Sequence, residues 1–274
     1  MRILAINDIS CIGKCSLTSA LPIISACGVE CTVLPTAILS THTGGFENYT
    51  FRDLTEDIDG ILQHWKSLDI KFDFIISGYL GSIEQIRLVS SIKKDFLREN
   101  GKFIVDPVMG DSGKLYAGFT EEYVEKMRGL CKEADYILPN ITEAALLADV
   151  PYPITKENAQ TALDKLLELC PMPIITGILD ENEISVRFTN RKGVSYSFSH
   201  ENVEGFFCGS GDAFAAAFVG CLARGLHVAD SIFLAADFTA AAIRRSAKEV
   251  SDKRFGLNFE MEIFPFLEKL NSMK

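Results

Sequence analysis

Positive charge is scarce: 27 lysines and arginines face 37 aspartates and glutamates over 274 residues, a formal net charge of −10. A duplex-binding protein carries a basic stripe, and none is visible here, so nucleic acid is not expected as a partner. Long hydrophobic runs are also missing. The longest, Ala213 to Ala223, is broken by Gly220 and falls far short of the ~20 residues that cross a bilayer, so no membrane partner is expected. Proline and glycine, at 9 and 20 residues, are too few for a disordered or collagen-like chain. Neither a repeat nor a low-complexity tract occurs. No Gly/Ser linker divides the sequence, which predicts one domain over residues 1–274. Met1 to Ile6 reads as a strand with no export leader before it, which predicts a cytoplasmic protein.

Eight cysteines in such a chain read as reduced thiols rather than a disulfide framework. Cys11/Cys15 and Cys27/Cys31 are spaced C-x3-C, whereas structural zinc sites favour C-x2-C. Cys15 and Cys27 fall in an apolar helical stretch and Cys31 opens a strand, where thiols act as small hydrophobes.

Short apolar runs alternate with stretches of 3.6-residue periodicity. Strands are predicted near 2–7, 31–37, 73–77, 102–106, 135–138 and 172–176. Helices are predicted near 16–28, 53–67, 82–99, 120–132, 141–148 and 156–169. This alternation implies an α/β fold with a mostly parallel sheet covered on both faces. Ile184–Phe188 and Val194–Phe198 flank Asn190–Gly193 as a hairpin, so the sheet ends in antiparallel strands. Helices near 211–224, 227–245 and 258–272 complete the chain.

In an open parallel sheet, ligands bind beyond the carboxyl ends of the strands. Polar residues follow each predicted strand: Asn7 and Asp8, Thr41 to Gly45, Ser77 to Tyr79, Asp106, Asn140, and Thr176. Any one of them is an ordinary turn or cap; six together favour a site. The segment Cys208-Gly209-Ser210-Gly211-Asp212 carries the most chemistry. Two glycines precede a small-residue helix whose first N–H groups favour an anion. A carboxylate beside bound phosphate is electrostatically costly unless it serves a purpose, and accepting a proton from an attacking hydroxyl is such a purpose.

In this order and spacing, Ile3 to Ile6, Ser40 to Gly44, Ser77 to Ser82, Asp106 to Asp111, Leu138 to Glu143 and Gly209 to Asp212 resemble the ribokinase-like small-molecule kinases. Within them, the match is to the pyridoxal/pyridoxamine (vitamin B6) kinases, over nearly the whole chain. The resemblance implies a three-layer α/β/α sandwich, with antiparallel edge strands and no separate lid domain. It implies transfer of phosphate from ATP to the 5′-hydroxyl of a pyridine-ring vitamer, with Mg²⁺, by a homodimer; a monovalent cation is left open. Asp212 resembles the catalytic base, and Gly209, Ser210 and Gly211 the anion hole. Asn140 and Glu143 are similar to an N-x-x-E motif that organises Mg²⁺ and the nucleotide phosphates, Glu143 acting on the metal through water. Asp106 resembles a residue near phosphates and metal, so Asp106 and Glu143 are the expected metal-side pair. Thr176, Asp111 and Tyr116 resemble nucleotide contacts, with Lys114 a source of positive charge in the same loop. Thr43 and Tyr79 match residues that contact the pyridine ring, and His42 is assigned to its own turn. Asp8 departs from the family, whose better-known members carry a serine there; a carboxylate suits a pyridinium nitrogen.

Hydroxymethylpyrimidine kinases are the nearest alternative, but they commonly carry a cysteine at the position of Asp212. A non-catalytic nucleotide or vitamer binder would have no use for that carboxylate. A dinucleotide-binding dehydrogenase requires G-x-G-x-x-G after the first strand, and Asp8 to Gly13 lacks it.

Overall fold

The computed structural model describes residues 1–190, 192–249 and 252–273. The chain forms two compact units. The first comprises Met1–Gly81, Phe96–Gly101 and Val203–Lys274, and the second Ser82–Asp95 and Lys102–Asn202.

In the first unit, β1 (Arg2–Ile12) lies between β2 (Glu30–Thr41) and β4 (Phe72–Ser77), parallel to both. A short β3 (Phe51–Asp53) pairs antiparallel to the outer side of β2. Ile3, Leu4, Ile6, Leu34 and Ile75 are fully buried, as expected of strands covered on both faces. The helices of this unit are α1 (Leu17–Ala26), α2 (Thr55–Ser67), α7 (Ser210–Ala223), α8 (Val228–Glu249) and α9 (Ile263–Ser272). α7 is buried on nearly every side, which explains its run of alanines and its lack of a polar face. Trp65 packs edge-on against Phe72 and Phe96, with centroids 5.8 and 6.1 Å away.

β5 (Leu97–Val105) begins in the first unit and ends in the second, where Ile104 and Val105 pair in parallel with β8 (Tyr136–Ile137). The antiparallel strands β9 (Ile174–Asp180), β10 (Glu183–Thr189) and β11 (Ser195–Glu201) follow in a meander. A small hairpin, β6 (Gly110–Asp111) and β7 (Lys114–Leu115), projects after β5. The helices are α3 (Ile83–Phe96), α4 (Glu121–Cys131), α5 (Ile141–Ala148) and α6 (Ala159–Leu166). The sheet is thus mostly parallel with antiparallel edge strands, as the sequence predicts, and β1 leads directly into α1 without a lid.

Several predicted boundaries are corrected. β1 and β2 run five and four residues past the predicted ends, because their backbones stay paired as far as Ile12 and Thr41 across a bulge between Asn7 and Ile9. Asn7 and Asp8 therefore lie inside β1 rather than after it. Thr176 lies inside β9, which continues to Asp180. Cys15 and Cys27 flank α1 instead of belonging to it, and Glu30 rather than Cys31 opens β2. The last predicted helix divides into a 3-10 turn at Glu260–Glu262 and α9. The short strands β3, β6 and β7 carry no periodic signal in two or three residues. Arg191, in the predicted hairpin turn, lies outside the described residues.

Candidate active site

The first unit brings Asp8, Tyr79 and Asp212 together around Asn7. Asp8 is 5% exposed, and its carboxylate accepts from the hydroxyls of Ser16 at 2.5 Å and Ser10 at 2.9 Å. Desolvation pushes its carboxyl above the usual range, and those hydrogen bonds oppose the rise. Asn7 donates from Nδ2 to Asp212 Oδ1 at 3.1 Å, while its Oδ1 accepts from the N–H of Asp8 at 3.0 Å and of Tyr79 at 2.8 Å. Tyr79 is half-buried, and burial followed by the charge of Asp8 pushes its phenol up to about 12. It is therefore a neutral hydroxyl and a flat face at any physiological pH.

Asp212 lies in the first turn of α7. Gly209 caps that helix at φ +78°, where a Cβ would stand 2.6 Å from the carbonyl oxygen of Lys14, so only glycine fits. No side chain caps the helix, and the first N–H groups of α7 are left for an anion. Asp212 keeps some surface, yet desolvation dominates its surroundings and pushes its carboxyl up to about 6. The negative charge of Asp8 adds to the rise, and the Ser16 N–H and Asn7 amide oppose it. A carboxylate of this basicity is matched to proton abstraction near neutral pH.

Thr43 is exposed on the loop after β2, and the loop is tied down by its neighbours. His42 is buried. Its Nδ1 accepts from the Gly44 N–H at 3.1 Å, which leaves Nε2 to donate to the Arg254 carbonyl at 2.6 Å. Arg254 in turn donates to the Gly45 carbonyl and lies over the Phe46 ring. His42 is a fastener of the turn, as its sequence position suggests.

In the second unit the predicted nucleotide-side residues converge on the β6–β7 hairpin. Asn140 caps α5 in a capping box with Glu143. Its Nδ2 donates to the Gly110 carbonyl at 2.8 Å. Glu143, 2% exposed, accepts from the N–H of Met109 at 3.0 Å and of Asn140 at 2.9 Å. Burial raises its carboxyl and backbone donors pull it back. Thr142, which the sequence reading did not single out, accepts from the Gly113 N–H at 2.9 Å. One turn of α5 thus holds the hairpin at three points. The hairpin carries Asp111, half-buried and close enough for its charge to act on Glu143, and Lys114, exposed. Tyr116 is exposed, and its N–H donates to the Met109 carbonyl. Thr176 pairs with Asn140 through a parallel bridge, and Asp106 is buried immediately after β5.

Among the described residues no group of three or more His, Cys, Asp or Glu is gathered as a metal site. With both Glu143 oxygens accepting backbone N–H groups, the donor set fits a magnesium ion that keeps its waters better than one stripped to protein ligands. The cysteines are free; burial pushes the Cys27 and Cys31 thiols up to about 12, and that of Cys15 higher still. Such thiols pack rather than react. No helix among the described residues is long and apolar enough to cross a membrane.

An uncapped helix start beside a basic carboxylate, on a mostly parallel α/β sheet, combines an anion-binding helix end with a proton-accepting group. The chain belongs to the phosphomethylpyrimidine kinase family, whose sequence profile matches residues 18–256. A Bacteroides thetaiotaomicron protein described as belonging to the phosphomethylpyrimidine kinases superimposes with a TM-score of 0.92 at 35% identity, over 96% of this chain and 93% of that one. Another crystal form of that protein, with pyridoxal, gives a TM-score of 0.91. Pyridoxal kinase from Lactobacillus plantarum gives 0.91 at 32% identity, over 99% of this chain and 98% of that one. A Paraburkholderia xenovorans pyridoxal kinase is 33% identical over 81% of this chain and 78% of its own length. Some curated relatives are matched over less: the chain spans 65% of a Caenorhabditis elegans protein and 29% of a Saccharomyces cerevisiae one.

Proposed function

We propose that this chain is an ATP-dependent kinase that phosphorylates the 5′-hydroxyl of a vitamin B6 vitamer, with both units acting as one catalytic domain. The observation that carries the reading is Asp212: a carboxyl pushed up to about 6 in the first turn of an uncapped helix. In the proposed step the vitamer's hydroxyl oxygen attacks the γ-phosphorus in line, its proton passes to Asp212, and ADP leaves. The N–H groups at Gly209, Ser210 and Gly211 receive the transferred phosphoryl group, and their dipoles stabilise charge as it develops. Tyr79 and Thr43 hold the pyridine ring, and Asp8 favours its protonated form. Asp106, Asp111, Tyr116, Asn140, Glu143 and Thr176 serve the nucleotide side. Asp106 and Glu143 would hold a magnesium ion carried by ATP, which would supply positive charge to the phosphates when bound. The reading is completed by a cytoplasmic homodimer, with the monovalent cation an open accessory.

The sequence relationship supports this choice: a relative was crystallised with pyridoxal, and pyridoxal kinases align over most of the chain. The one-domain reading is supported by a family match that passes through both units. A second reading, phosphorylation of a hydroxymethylpyrimidine, is supported by the pyrimidine named in the family description, phosphomethylpyrimidine kinase. ADP release from Mg·ATP, measured separately with pyridoxal, pyridoxine, pyridoxamine and hydroxymethylpyrimidine, decides between them. Turnover on the B6 vitamers is expected. Turnover on the pyrimidine alone transfers the mechanism to the second substrate, and none on any of the four overturns the kinase.

A further inference from the structure

Asn7 is a polar side chain only 7% exposed, in the middle of a strand whose neighbours Leu4, Ala5 and Ile6 are apolar and buried. A buried amide is tolerated when its donors and acceptors are matched, and here the matching fixes its orientation. Oδ1 faces two backbone N–H groups, those of Asp8 and Tyr79, which can only donate. Nδ2 is therefore turned away from them, and it is the end that meets Asp212 Oδ1 at 3.1 Å, from 205 positions away in the chain. The space for this amide comes from Gly78. A Cβ on that residue would stand 2.3 Å from Asn7 Nδ2 and 2.6 Å from its Cγ, and Gly78 has no positive φ to account for a glycine there. The requirement for glycine is thus steric, and what it accommodates is Asn7.

We propose that Asn7 is a positioning residue for Asp212, its amide locked by two backbone donors so that one N–H always points at the base, and that Gly78 is glycine to leave that amide in place. The inference rests on the reading of Asp212 as the base. Through one side chain it joins the turn that carries Tyr79, the strand that carries Asp8 and the helix that carries Asp212, so the ring-holding and proton-accepting groups share a common reference. A donated N–H favours the ionised carboxylate, the form that accepts a proton. The other groups facing Asp212 are Asp8 from β1, whose charge opposes ionisation, and Cys15 and the Ser16 N–H from the segment before α1; Cys208, preceding α7, adjoins Cys15.

The experiment is the pH profile of kcat for Asn7→Ala and Gly78→Ala, beside wild type and Asp212→Asn, with the vitamer that turns over. Asn7→Ala removes the donor. Gly78→Ala keeps every functional group and displaces the amide, and it carries the test alone if Asn7→Ala does not fold. Both are expected to move the acidic limb of kcat upward by about one pH unit, the scale of one charge-assisted hydrogen bond. Turnover near pH 5 should fall roughly tenfold and recover at higher pH, with the KM for ATP unchanged. In an Asp212→Asn background Asn7→Ala should have no further effect on kcat. A limb that stays at the wild-type pH, with kcat lowered equally at all pH, overturns the proposal while leaving Asp212 as the base. Near-normal turnover by Asp212→Asn instead overturns the base reading itself.

Discussion

Asp8 and Asp212 share Ser16: its hydroxyl donates to Asp8 at 2.5 Å, and its backbone N–H stabilises the Asp212 carboxylate. Ser16 holds a positive φ of 55° to do so, a conformation uncommon outside glycine. The cost of bringing two carboxyl groups together is offset by four polar groups, from Asn7, Ser10, and Ser16 twice. What remains at Asp212 is a carboxyl more basic than an ordinary aspartate's.

Asp212→Asn should separate function from stability. If Asp212 is the proposed base, kcat should fall by at least ~10², the scale of general-base catalysis, while ATP binding persists, as steady-state kinetics and titration with ATP would register. Because its carboxyl is raised in the folded protein, the native state holds its proton more tightly than the unfolded chain between the ordinary aspartate range and about pH 6. The linked stability falls as pH rises through that window and stays low above it. The substituted amide has no charge to desolvate, so the variant should melt a few degrees higher than wild type at pH 8, with the difference vanishing near pH 4.

Asp8→Ala removes the acceptor of two serine hydroxyls and the negative charge that raises Asp212. The acidic limb of kcat should move to lower pH, opposite to the shift expected for Asn7→Ala. The KM for the vitamers should rise severalfold if Asp8 recognises the protonated ring. An unchanged KM for every vitamer would remove Asp8 from recognition.

Gly209→Ala places a Cβ 2.6 Å from a backbone carbonyl at φ +78°, where neither partner is a flexible side chain. Strain of about 1–3 kcal/mol is expected in urea unfolding. Because that strain is relieved by tilting the helix start, kcat should fall more than the KM for the vitamer rises.

Thr142→Val deletes the acceptor of the Gly113 N–H and frees one of three points at which α5 holds the β6–β7 hairpin. At about 1 kcal/mol for one hydrogen bond, the KM for ATP should rise about fivefold. Thr142→Ser retains the hydroxyl and should behave as wild type in the same assay.

Local signals were legible in the sequence. The helix over 141–148 appears with the predicted bounds, because the Asn140–Glu143 capping box is encoded within four residues. The Gly209 to Asp212 segment announced its helix start for the same reason, since a glycine needed at positive φ and an acid in the first turn are both features of adjacent residues. The alternation of short apolar runs with helical periodicity determined the mostly parallel sheet. Tertiary structure decided the rest. The length of β1 depends on its pairing with β2, which continues through polar residues that periodicity reads as a loop. Asn7 meets Asp212 across 205 positions, and nothing near either residue foretells the contact. Glu143, placed on the metal side only by the family resemblance, accepts the backbone N–H groups of Met109 and Asn140, and the first of these contacts, 34 positions away, depends on packing. The sequence by itself determined which chemical groups would stand at helix starts; only the folded chain decided which of them touch, since hydrogen bonds between distant segments depend on packing that no local pattern encodes.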